Sequence, residues 1–371
     1  MDRPANLATP KHDPQQLARG AQEVLGEAAQ IVGGSAGGAI TNNSLGYDGY
    51  QVGIGVLSSG VYQADVFLER DLSDNEFDVG KKLGRKLEQS GASSVLFFYD
   101  SLKRPAADGG PELNLATPIL EGMEQSLSSW PSVAGAGLVA DAAMLQPSYL
   151  LLDDQVIKQS AMALAFSGGV QMGTLILHGC KPASPYHTIT RTEGNAVLEI
   201  DGEPALEMVD KMLGQANRMN WKDFPFFITL GLNRGDKFEA FDAKNYANRL
   251  CFSVDADKKA LIMFEPDLQP GDEVQLMRRS IDLDYVGDQI KEFRKQLKSK
   301  EPFFARYIDC VGRASAYSGT EEEEASEVQR HIGDIPLLGF YSGVEVARCG
   351  SDIQALDWTG VLCIFSDPKS D

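Results

Sequence analysis

Histidine is scarce in this chain: there are four in 371 residues, so a metal centre or a Ser-His-Asp relay has few residues to draw on. Cys-x-x-Cys pairs are absent. The five cysteines, Cys180, Cys251, Cys310, Cys349 and Cys363, are odd in number and widely spaced, each in or beside an apolar stretch. That pattern argues against a secreted disulfide framework and for reduced, mostly buried thiols. Cations are also in short supply, with 34 Lys+Arg against 53 Asp+Glu and a formal net charge of -19. Phosphate backbones need clustered cations, so no nucleic-acid partner is expected. An anionic ligand would have to be met by a few locally placed arginines, such as Arg191 or Arg313. The opening "MDRPANLATPKHDPQQ" has no apolar stretch of signal-peptide length, and a cytoplasmic location is expected.

Formal charge is missing from one long run, "QSAMALAFSGGVQMGTLILHGC" between Lys158 and Lys181, which is long enough to span a bilayer. Its serines, glycines, Gln171 and Thr174 are too polar for that. Ser167-Gly168-Gly169 reads as a turn between two strands, predicting a buried β-hairpin and no membrane span.

What is present is ordinary globular composition, 43% hydrophobic and 23% charged, in a chain longer than one core usually organises. Two domains are expected, 1–220 and 221–371, the second opening near Trp221. Asp13 and Pro14 mark a helix start, and Leu17, Ala21, Val24 and Leu25 follow at helical spacing. Amphipathic helices are predicted over "DNEFDVGKKLGRKLEQSG", "ATPILEGMEQSLSSW", Ala205 to Leu213 and "YVGDQIKEFRKQLKSK". Strands are predicted over "QIVGG", "SSVLFFYDS" and "FFARYIDCVGR". The acidic run Glu321 to Glu324 is expected to open a solvated helix.

Two glycine-rich stretches share a shape. Laid without a gap, "QIVGGSAGGAI" (30–40) places Gly33 on Gly339, Ser35 on Tyr341, Gly37 on Gly343 and Ala39 on Glu345 of "IPLLGFYSGVEV" (335–346). This predicts an internal duplication: an α/β (α+β) fold of two related mixed-sheet domains, in which each half packs its sheet under its own helices or, the preferred of the two arrangements, the sheets stack as a layered αββα body. The plain reading of such turns is tight chain reversal. The functional reading is a cleft in which the backbone approaches a ligand at a domain interface.

Three catalytic or cofactor patterns are weaker. "GGSAG" matches Gly-x-Ser-x-Gly around Ser35, but strand-like sequence follows where a nucleophile elbow needs a helix. "GAGLVA" (135–140) matches a dinucleotide fingerprint, but Pro131 and Pro147 interrupt the strand and helix it requires. His178 and Cys180 in "HGC" could serve as an axial haem ligand, while zinc would need more convergent ligands.

Taken in order, "VGGSAGGAI", "VAGAGLVAD", "LHGCKP", "ITRTEGNAVLEIDGEPALEMVDKMLG", "CVGRASAYSG", "PLLGFYSGVEVA" and "WTGVLCIFS" resemble the FIST family, sensory domains of F-box and intracellular signal transduction proteins, as FIST N plus FIST C. The resemblance covers nearly the whole chain. Two positions depart from it: Ala39 stands where the first motif usually has Glu, and Val344 where the second usually has Gly. The resemblance implies a non-enzymatic sensor of a small molecule such as an amino acid, with haem-based nitric-oxide sensing in some members. It also implies output in trans through a histidine kinase or a cyclic-dinucleotide enzyme.

The expected ligand site comprises Ser35, Gly37, Gly38, Arg191, Arg313, Tyr341 and Glu345, with an arginine pairing a carboxylate and Glu345 an amine. No metal is expected, and haem enters only in the alternative built on His178 and Cys180. A hydrolase built on Ser35 or Cys180 is the second alternative.

Overall fold

Two six-stranded sheets carry the fold, in a computed structural model that describes residues 12–47, 51–58, 62–107, 110–214, 221–223, 228–280, 282–297, 300–318 and 320–368. The first sheet runs Asp352–Leu356, Val344–Cys349, Ser132–Leu138, Ser94–Asp100, Ser160–Ser167, Gln63–Arg70. The second runs Gln171–Leu177, Gly360–Pro368, Lys300–Cys310, Leu338–Ser342, Ala39–Thr41, Leu45–Gly46.

Strand alternation sorts the side chains into layers. Val95, Phe97 and Tyr99 pack with Val79, Leu83, Ile119 and Met123 of the helices Glu76–Ser90 and Ala116–Glu124. Ala305 and Tyr307 share the same cluster with Val286, Ile290, Val328 and Ile332 of the helices Asp284–Gln296 and Glu324–Ile332. The opposite faces meet each other: Phe98 touches Phe340 at 6.0 Å and Phe166 touches Phe365 at 5.1 Å between ring centroids. The result is the layered αββα body expected from the sequence. Each fully buried Phe or Leu contributes roughly 1.5–3 kcal/mol, so all three interlayer surfaces, two helix–sheet and one sheet–sheet, stabilise the fold.

The duplication is visible in the pairing. In the first sheet Ser94–Asp100 runs parallel to Ser132–Leu138 and antiparallel to Ser160–Ser167, which in turn pairs with Gln63–Arg70. In the second, Lys300–Cys310 runs parallel to Leu338–Ser342 and antiparallel to Gly360–Pro368, which pairs with Gln171–Leu177. Each sheet is then completed by strands from the other half of the chain. Val344–Cys349 joins the first beside Ser132–Leu138, and Ala39–Thr41 joins the second beside Leu338–Ser342. Both sheets therefore draw strands from either side of the expected boundary at 220/221.

A third body comes between the two halves in sequence. Strands His187–Glu193, Ala196–Ile200, Ala260–Met263, Tyr246–Asp255, Thr229–Asn233 and Glu273–Arg279 pair in a ring, each antiparallel to the next, so the sheet closes into a six-stranded barrel. Closure removes the open edges that a small sheet would otherwise present. The helix Ala205–Leu213 buries Ala205, Leu206, Met208 and Val209 beside it.

Several local expectations hold. The first helix is Pro14–Leu25, and Asp13 caps it by accepting from Gln15 N and Gln16 N. All five cysteines are free and buried. No helix among the described residues is long and apolar enough to cross a membrane.

Two expectations are corrected. Ser160–Ser167 and Gln171–Leu177 are strands joined at Gly168 and Gly169, both with positive φ, but they belong to different sheets and do not pair with each other. The turn is an arch between layers, not a hairpin. The acidic run does lead into a helix at Glu324, but Glu324 is 1% exposed. It is held by Arg313, so only Glu321 and Glu322 are solvated.

Candidate functional site

The two glycine-rich stretches are where the chain changes sheet. After Leu338–Ser342 in the second sheet, Gly343 leads into Val344–Cys349 in the first. Val32–Gly34 pairs with Leu150–Leu152, and the chain then passes through Ser35–Gly38 into Ala39–Thr41 of the second sheet. The crossings touch: Gly37 N donates to Tyr341 O at 2.9 Å, and Tyr341 N donates to Gly38 O at 3.1 Å. Glycine is needed for this approach. A Cβ on Gly37 would lie 2.7 Å from Val311 Cγ2, and one on Gly38 2.5 Å from Gly46 O and 2.7 Å from Tyr47 Cβ.

Six of the seven expected ligand residues lie at or beside these crossings, and their polar groups already have protein partners. Ser35 Oγ accepts from Tyr149 N at 3.1 Å. The Tyr341 hydroxyl donates to Glu323, and its ring meets Tyr47 edge-on at 5.7 Å. Arg313 is fully buried. Its Nε donates to Asp309 at 3.0 Å, Nη1 to His178 O and Trp358 O at 3.1 and 2.8 Å, and Nη2 to Glu324 and the Tyr285 hydroxyl. Glu345 accepts from Ser342 Oγ at 2.7 Å and Thr359 N at 3.3 Å. Burial, with Asp309 and Asp357 nearby, holds its carboxyl well above the ordinary range. The seventh, Arg191, lies on the barrel, 58% exposed and paired with Glu199 at 2.9 Å. No hydrogen bond or ion pair joins it to the crossings.

The residues of the two alternatives are also engaged. His178 Nε2 bonds Ala243 O at 3.0 Å and Nδ1 accepts from Cys180 N at 2.9 Å, leaving neither ring nitrogen for haem iron. Burial lowers the His178 pKa to about 4 and raises the Cys180 thiol to about 11, the reverse of what an activated nucleophile needs. Ser35 has no histidine among its hydrogen-bond partners. Among the described residues no cluster of three His, Cys, Asp or Glu side chains could hold a metal.

Open hydrogen-bonding capacity lies one step away. At the carboxyl ends of the parallel pair Ser94–Asp100 and Ser132–Leu138, Ser101, Asn114, Met144, Phe264, Glu265 and Gly343 line a crevice too narrow in this structure for a water molecule. The carboxyl ends of parallel strands, where the connections diverge, are where open α/β sheets bind ligands. Asn114 is fixed by its amide nitrogen, which donates to Asp100 O at 2.8 Å and Gln159 Oε1 at 3.2 Å. Its Oδ1 is buried without a partner. The Tyr99 hydroxyl, also unpartnered, lies against Gly137.

Glu265 accepts from Ala116 N at 3.1 Å and Thr117 N at 3.0 Å, the first turn of the helix Ala116–Glu124. Burial, reinforced by Asp357, raises its pKa to about 7. Crevice walls of this kind offer hydrogen-bond acceptors and no cation.

Sequence reasoning located Gly343 and missed Asn114 and Glu265. Glu265 is an acid directly following the apolar strand Ala260–Met263 and Phe264, a signal that could have been read. Asn114 carries no signal of its own, because its partners Asp100 and Gln159 are distant in sequence.

The FIST N domain model matches residues 7–203 and the FIST C domain model residues 205–348. An uncharacterized protein of Methanocaldococcus jannaschii is 22% identical over 230 residues, 60% of this chain and 43% of that protein. An uncharacterized protein of Mycobacterium tuberculosis is 21% identical over 240 residues, 62% of this chain and 60% of its own. The matched region thus spans about half the length of these relatives.

Proposed function

Since the chain belongs to the FIST family, whose domains are associated with signal transduction, we propose that it is a small-ligand-binding sensory protein. The ligand enters the crevice beside Gly343, and output passes in trans to a signalling enzyme such as a histidine kinase or a cyclic-dinucleotide enzyme. The observation that carries this reading is the unpartnered Asn114 Oδ1, a buried acceptor in the wall of a crevice at the carboxyl ends of parallel strands.

An unmet buried acceptor costs on the order of 1–3 kcal/mol, which a donating ligand would recover. Acceptors at Asn114 and Glu265, in a lining that carries no cation, favour a ligand held by an amine, as one end of an amino acid could be. Ser35, Gly37, Gly38, Arg313, Tyr341 and Glu345 then act as the rigid crossing that sets Gly343 against the crevice. Because the crevice is closed here, binding requires the Leu113–Leu115 wall to move outward from Gly343.

Thermal unfolding against a panel of amines, amino acids, small carboxylates and haemin tests this. A ligand at a hundred times its dissociation constant adds about 2.7 kcal/mol, a rise of several degrees in a chain of this size. The expected result is a rise with amine-bearing compounds that is lost in Asn114→Leu. A flat panel, or a rise confined to haemin, would contradict the proposal.

A further inference from the structure

Arg306 lies in the apolar run "FFARYI" on the strand Lys300–Cys310, on the face turned toward the other sheet. Its in-strand neighbours on that face are Phe304 and Ile308, and Cys363 is directly opposite on the adjacent strand. The guanidinium sits 4.7 Å from the Phe340 ring centroid and 5.7 Å from that of Phe98, one ring from each sheet.

Arg306 is half-buried: no carboxylate and no hydrogen-bond acceptor among the described residues meets its side chain, and its Nε is shut off from solvent without a partner, while Nη1 and Nη2 are not. The two fully buried arginines differ. Arg249 is paired with Asp267, and Arg313 with Asp309 and Glu324. Burial pulls the Arg306 pKa down to about 10, leaving it charged at neutral pH. Attraction to two ring faces offsets only part of the hydration that the buried side of the guanidinium gives up.

The duplicated architecture does not require a cation here. Ile308 pairs with Phe340, which pairs with Ala39, just as Phe98 pairs with Ala136, which pairs with Glu345. Two residues earlier, the counterpart of Arg306 in the first sheet is Leu96, which is buried in the same interlayer cluster.

We propose that Arg306 is an anion-binding residue whose ligand is a small monocarboxylate with an apolar body, the carboxylate on the guanidinium and the body between the facing sheets beside Phe98 and Phe340. A single cation in a chain of net charge -19 matches one negative charge better than a phosphate dianion, and a planar guanidinium takes a carboxylate through two parallel hydrogen bonds. The site is separate from the crevice at Asn114 and does not depend on it.

The test is thermal unfolding of the whole chain with benzoate, octanoate, neutral benzamide and inorganic phosphate, for the native protein, Arg306→Met and Arg306→Lys. Benzoate or octanoate at millimolar concentration is expected to raise the native Tm by several degrees, while benzamide and phosphate leave it unchanged. A response to benzoate alone identifies an aromatic body, and one to octanoate alone an aliphatic one. Arg306→Met should lose the response and, with an unpaired charge removed, match or exceed the native ligand-free Tm. Arg306→Lys, which keeps the charge without the fork, should respond more weakly and decides the matter if the Met variant does not fold. No carboxylate response in the native protein, a response that survives in both variants, or an equal response to phosphate would overturn the proposal.

Discussion

Glu265 is a buried side chain with a structural role that titration can expose. Its oxygens hold the first turn of the helix Ala116–Glu124, and its pKa is raised by burial from 4.5 to about 7. A carboxyl whose folded pKa exceeds its unfolded value favours the folded state most at low pH, and that contribution is lost as pH rises through the folded pKa. At about 1.4 kcal/mol per pH unit, ionising Glu265 costs on the order of 3 kcal/mol. Glu265→Gln is therefore expected to flatten the fall in stability between pH 5 and 8, as read from urea unfolding midpoints across that range. An unchanged slope would show that Glu265 does not titrate there.

The residues legible in the sequence were those in glycine-rich turns, because glycine reports a close approach directly. Glu345 and Arg313 were also singled out, but spacing along the chain could not show that Ser342 and Thr359 hold the first, or that Asp309 and Glu324 surround the second. Their partners are fixed by tertiary packing.

Among the elements, the helices were read well because their signals are local. Asp13 and Pro14 open the first helix, and periodicity marks Glu76–Ser90 and Asp284–Gln296. Strand partners were less legible: Ser160–Ser167 and Gln171–Leu177 were found as strands yet assigned to each other. Two glycines at positive φ, Gly168 and Gly169, serve a hairpin or an arch between sheets equally well, and the long-range partners Gln63–Arg70 and Gly360–Pro368 decide between them.

The helix pair Glu76–Ser90 and Ala116–Glu124 carries a prediction at this scale. A Cβ on Gly122 would overlap Phe77 O, and one on Gly80 would overlap Ile119 O, so the two backbones are in direct contact. Gly122→Ala is expected to destabilise the fold by about 1–3 kcal/mol, the usual cost of overpacking, with a matching drop in the urea midpoint. A neutral substitution would mean that the helices can separate without loss.

On the scale of the whole molecule, the duplication was readable from the two glycine-rich stretches, but the exchange of strands between sheets was not. Similar sequences report similar local structure and are silent about which sheet each strand completes. For the proposed function the exchange would have a consequence. The crevice is built from Asn114 of the first half, Gly343 of the second and Glu265 of the barrel, so ligand occupancy would be felt by all three bodies at once.

Hydrogen–deuterium exchange of the whole chain, with and without the amine that gives the largest thermal shift, tests this most directly, since it reports protection segment by segment. The proposed site requires increased protection at Asn114–Thr117 and Ser342–Glu345 together, segments far apart in sequence that meet at the crevice. Protection confined to the barrel strands, or to the exposed face around Arg191, would contradict it.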